Sequence, residues 1–99
     1  MLYEKLKHLS EKPALYGIED IEDIRIFIFG IDASVEMYKT NIDEEYLDFS
    51  NFQNWVKDRY NGGDTSSWVS LIRFNSTSNN DSIKLFNILL KQYLEYKQK

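Results

Sequence analysis

The chain of 99 residues has no cysteine, one proline, one histidine and four glycines. Without cysteine there are no disulfides, no thiolate nucleophiles and no cysteine-based zinc sites, as suits a reducing compartment. A single histidine leaves His8 alone to serve any Ser-His-Asp chemistry or histidine-rich metal site. Lying between Lys7 and Leu9 in a charged first segment, His8 reads as a surface residue. Long apolar runs are missing as well. The best, from Ile24 to Ile31, contains Arg25 and falls far short of the ~18 apolar residues of a membrane span. The opening Met1-Leu2-Tyr3-Glu4-Lys5-Leu6-Lys7 lacks the apolar middle of a signal peptide, so the expected address is the cytoplasm.

Hydrophobic residues make up 42% of the chain and charged residues 28%, the mixture of a folded globular protein rather than a disordered tail. A chain this long buries roughly two-thirds of its unfolded surface, enough for one core, and a single domain over residues 1–99 is expected. The net charge of −4 is unevenly spread. Ten of the 16 acids lie between Glu19 and Asp48, where only Arg25 and Lys39 oppose them. Clustered bases are confined to Lys84, Lys91, Lys97 and Lys99, which a helix dipole explains, so no nucleic-acid partner is expected.

Asp43-Glu44-Glu45 lacks the alternating oxygens and glycine of a calcium loop and reads as solvated loop or helix-start acids. Gly62-Gly63-Asp64-Thr65-Ser66 lacks the lysine of a phosphate loop and reads as a turn followed by a helix cap. No metal, cofactor or catalytic residue is therefore assigned. A carboxylate-based enzyme would need a deep pocket converging on acids, and no enzymatic activity is expected.

Periodicity divides the chain into about five segments. Leu2, Leu6 and Leu9 give a short first helix that Pro13 stops, and Pro13 with Gly17 turns the chain. Composition makes Ile24 to Phe29 look like a strand, but Ile21, Ile24, Ile28, Ile31, Val35 and Tyr38 form one helical seam. Asp20 is its expected N-cap, with Asp23 three residues on. Gly30 costs about 1 kcal/mol in a helix interior and is read as a close approach of another backbone. A third helix is expected behind Asp48 or Ser50, with Phe49, Phe52 and Val56 on one face and Arg59 at its surface end. Residues 67–74 fit either a strand or a helix capped within Asp64-Thr65-Ser66. Ile83, Phe86, Leu90 and Tyr93 define a last helix of about four turns behind Asn80 or Asp81. The expected core joins Ile21, Ile24, Ile28, Ile31, Val35 and Phe52 to Val56, Trp68, Ile72, Phe86, Leu90 and Tyr93, with Trp55 core or half-buried. The fold class is all-α, a compact bundle of about five helices; the alternative is α+β with a very small sheet at 67–74.

Several pieces carry a resemblance across residues 12 to 94. They are Lys12-Pro13-Ala14-Leu15-Tyr16-Gly17, an apolar helix with Phe29-Gly30, and then Phe52, Trp55, Arg59 and Tyr60. Ser67-Trp68 with Leu71-Ile72, Phe86, Leu89-Leu90 and Tyr93-Leu94 complete the set. This spacing resembles that of small uncharacterised bacterial proteins, some of which act as immunity partners of toxins. The resemblance implies a mostly helical fold, including the Trp68 segment, and brings no catalytic residue.

The leading functional expectation is a non-enzymatic protein-binding domain that neutralises a basic toxin through an acidic surface. Asp32, Glu36, Asp43, Glu44, Glu45 and Asp48 would stand in for phosphate charge while Tyr38 and Tyr46 anchor the partner. The other expectation is a small structural or regulatory module that self-associates, because Phe27 and Phe29 leave the second helix apolar nearly all round.

Overall fold

The computed structural model describes residues 2–38, 44–61 and 67–98, with side chains throughout except at 32 and 35–38. Within these ranges the protein is all-α. Its five helices are α1 (Leu2–Glu11), α2 (Ile21–Tyr38), α3 (Glu44–Arg59), α4 (Trp68–Phe74) and α5 (Asn79–Gln98). Pro13, unable to donate a backbone hydrogen bond, ends α1 and opens a 3-10 turn over Pro13–Tyr16. Gly17 closes the turn at φ 68°, a left-handed conformation that glycine adopts without steric cost.

The start of α2 is a reciprocal box of two aspartates. The Asp23 N–H donates to Asp20 Oδ1 at 3.2 Å, and Asp23 Oδ2 accepts the N–H groups of Asp20 at 3.3 Å and Glu19 at 2.8 Å. These bonds satisfy donors that the helix leaves free, and they put carboxylates at its positive end. The next N–H, of Ile21, donates to the buried Ser82 hydroxyl of α5 at 3.1 Å, which ties the start of α2 to α5.

Residues 67–74 form α4, with no strand. Ser67 Oγ accepts the Ser70 N–H at 3.0 Å, and Trp68, Val69 and Ile72 share the buried face, which is helical spacing. The cap is thus Ser67, just past the expected 64–66. In α5 the cap is Ser78, which accepts the Asp81 N–H at 3.0 Å, so the helix starts earlier than Asn80 or Asp81 as caps would allow. At 20 residues it runs about five and a half turns.

Helix α5 is the spine of the bundle and touches the other four helices. The Cα radius of gyration, 13.3 Å, matches the ~13 Å of a compact chain of this length. Phe52 is fully buried at the centre of the core, its ring 5.3 Å from Phe49, 5.5 Å from Tyr93 and 5.8 Å from Phe86. Trp68 closes the cluster at 6.1 Å from Phe52, edge-on, the geometry that aromatic quadrupoles favour.

Of the expected core, Ile21, Ile24, Phe52, Val56, Trp68, Ile72, Phe86, Leu90 and Tyr93 are buried, as are Leu2, Tyr3, Leu6, Leu9 and Phe49. Ile28 and Ile31 are only half-buried, whereas Ile21 and Ile24 are fully buried at the N-terminal end of α2, where the Ser82 tie holds it. The Val35 side chain lies outside the described residues. Two readings are corrected. Asp48 and Ser50 cap nothing, since α3 already begins at Glu44 and carries both in its interior. Gly30 meets no neighbouring backbone; a Cβ added there would have nothing within 4 Å.

Candidate functional site

The acids at the head of α3 go to different environments, because the helix has a 3.6-residue period and successive side chains point apart. Glu44 is exposed. Glu45 turns inward, and its carboxylate accepts the Tyr3 N–H at 2.9 Å, an anion set on the positive end of α1. Tyr46 is half-buried against the core. Asp43 lies outside the described residues, as do the side chains of Asp32, Glu36 and Tyr38.

Asp48 is the centre of a polar cluster that joins three helices. Its Oδ2 accepts the Tyr3 hydroxyl of α1 at 2.5 Å, and from α5 the Tyr93 hydroxyl at 2.8 Å and Lys97 Nζ at 2.9 Å. Its Oδ1 accepts Asn51 Nδ2 at 3.1 Å. Burial alone would push this carboxyl up, but the bonds from Tyr3, Lys97, Asn51 and Tyr93 outweigh it and hold the group well below the usual carboxylate range. Burial and the Asp48 carboxylate push the Tyr93 phenol up to about 12 and the Tyr3 phenol further still. Both kinds of shift lead away from neutral pH, where a general acid or base is most effective. The cluster therefore keeps Asp48 ionised and both phenols protonated, the states that bond best. Lys97 also lies 5.5 Å from the Tyr3 ring centroid and 5.6 Å from that of Tyr93.

From Asp48 an open groove of about 370 Å³ runs between α3 and α5. On the α3 side Asn51, Trp55 and Asp58 follow Asp48 along one helical face. Tyr93, Tyr96 and Lys97 form the α5 side. The Trp55 ring is 5.8 Å from Tyr93 and 6.4 Å from Tyr96, which is 63% exposed.

No family model matches this chain, and neither a curated protein nor a solved structure does. Among the described residues no set of three or more His, Asp or Glu side chains is placed to hold a metal ion. None of their helices is long and apolar enough to cross a membrane. His8 is exposed, its Nδ1 2.5 Å from the Tyr16 hydroxyl.

A second surface lies on α2. Ile26 is 54% exposed and Phe29 63%, and Gly30 and Ala33 continue the same outward face at helical spacing. Phe27, by contrast, packs against the core. Beside Phe29 a small groove of about 150 Å³ descends between Arg25 and Gln53 to Phe49 and Trp68.

Sequence reasoning assigned no binding role to Asn51, Asp58, Tyr93, Tyr96 or Lys97. The spacing of 48, 51, 55 and 58 already marks one face of a helix, and that was the available signal. Nothing in the local pattern joins residue 3 to residues 48 and 97.

Proposed function

We propose that the protein is a non-enzymatic binding domain for a basic protein partner, acting as an immunity protein that neutralises a toxin. The observation that carries this reading is the outward face of α2, where Ile26 and Phe29 stand in water on an acid-rich part of the chain. Fully burying a side chain of this size stabilises by about 1.5–3 kcal/mol, and folding leaves more than half of that gain for docking to realise. The carboxylates of this stretch of sequence would speed the approach of a basic partner, and the apolar pair would hold it once docked. Glu45 and Asp48 are withdrawn from the phosphate-mimicking role, since Tyr3, Tyr93 and Lys97 already occupy their oxygens. That role passes to Asp32, Glu36, Asp43 and Glu44, with Tyr38 as the aromatic anchor.

Affinity capture from the producing organism tests the proposal, with the intact chain and Phe29→Glu compared at low and high salt. The expected result is one basic protein held at low salt, released as salt rises, and lost with Phe29→Glu. An acidic partner, or retention indifferent to both changes, refutes it.

A second reading rests on Gly30 and Ala33. These small residues, following Ile26 and Phe29 on an exposed helix face, let another helix come close, so two copies could pair through α2. Sedimentation showing a monomer over a wide concentration range removes this reading.

A further inference from the structure

The groove between α3 and α5 is built differently from the α2 face. Aromatic rings form its wall, with Trp55 flanked by Tyr93 and Tyr96. Three charged side chains line it: Asp48, Asp58 and Lys97. Lys97 and Asp48 neutralise each other at 2.9 Å. Asp58 is exposed, and no side chain among the described residues engages its carboxylate. Among the described residues the lining thus keeps one unpaired carboxylate beside the exposed Tyr96 ring and the half-buried Trp55. The molecule's own cations already use such faces: Lys97 stands over Tyr93, and the Arg59 guanidinium, which is not part of the groove, lies 5.6 Å from the Trp55 ring centroid. Ring quadrupoles attract cations, and a neighbouring carboxylate adds to that attraction.

We propose that this groove is the receptor for one cationic side chain, an arginine by preference, presented by the basic protein partner. The site rests on the reading given under Proposed function and adds a second point of contact, separate from the α2 face. A guanidinium would lie on the exposed face of Tyr96, beside Trp55, and turn its N–H donors toward the Asp58 carboxylate, the planar fork that lysine lacks.

The test is an NMR titration of the ¹⁵N-labelled intact chain with acetyl-Gly-Arg-Gly-amide and with its neutral citrulline counterpart, read at the Trp55 indole N–H. Trp68, buried in the core, is the internal control. The arginine peptide is expected to shift the Trp55 signal saturably and leave Trp68 in place. Citrulline in the peptide, or Asp58→Asn in the protein, should each weaken binding about threefold to tenfold. Tyr96→Leu should do the same, and since both residues are exposed these variants keep the fold. Equal shifts from the two peptides, an unchanged affinity in Asp58→Asn, or a silent Trp55 overturns the inference. Partner capture that Phe29→Glu abolishes but Asp58→Asn leaves intact would also overturn it while sparing the broader reading. Failure to capture any partner counts against that broader reading, and the peptide titration then still decides the chemistry of the groove.

Discussion

Replacing Asp48 by alanine removes the acceptor on which α1, α3 and α5 converge, and the cost follows from what is left behind. Tyr3 and Tyr93 are each 3% exposed, so their hydroxyls lose a charged acceptor with little water to replace it. A hydrogen bond to a charged group contributes about 1.5–3 kcal/mol. Lys97 is more exposed, and its ion pair adds at most about 1 kcal/mol. Asp48→Ala should therefore cost about 3–5 kcal/mol, a large part of the ~5–15 kcal/mol typical of a small protein. Asp48→Asn keeps an acceptor and should cost about half as much. Urea unfolding of Asp48→Ala, Tyr3→Phe and the double variant should show a coupling of about 1.5–3 kcal/mol between the two residues. Acid adds an independent check. The folded Asp48 carboxyl titrates below its unfolded value of about 3.9, so its contribution is complete above that pH and disappears as pH falls through the folded value. The wild-type protein should lose stability below about pH 4 more steeply than Asp48→Asn. An Asp48→Ala protein within about 1 kcal/mol of wild type, or an absent coupling, would refute the account.

Other outcomes follow from the same structure. Tyr93, pushed up to about 12 from an ordinary value near 10, contributes stability that is complete below pH 10 and lost as pH rises through 12; Tyr93→Phe should flatten that limb in alkaline unfolding curves. Gly30→Ala should stabilise by about 0.5–1 kcal/mol in thermal unfolding, because the site is helical and open; a loss would mean that something packs there. Phe52→Ala should cost about 3–5 kcal/mol in urea, the largest effect among the core phenylalanines, since its ring touches five other aromatic rings.

Much of the fold was legible because helices write their packing into local spacing. The Ile21 and Ile24 start of α2, the Phe52 and Val56 face of α3 and the Phe86, Leu90 and Tyr93 face of α5 all follow from a period of 3.6. The Asp20 and Asp23 box was legible too, since a cap and its partner lie three residues apart. Gly30 was misread because a glycine's cost in a helix is local, whereas whether anything packs against it is not. The head of α3 was misplaced because Asp48, a good cap by type, is spent on a tertiary contact.

What the sequence by itself determined is the helical class and the inward faces of the helices, which depend on neighbours within about two turns, and the gathering of acid between Glu19 and Asp48, which is composition alone. Tertiary structure alone decided which acids remain available. It drew Glu45 to the end of α1 and Asp48 to Tyr3, Tyr93 and Lys97, and among the described residues it gave Asp58 no side-chain partner beside Trp55 and Tyr96. Residues 3, 48 and 97 meet only because α1 and α3 both pack on α5, and the charge pattern along a chain holds no record of that meeting.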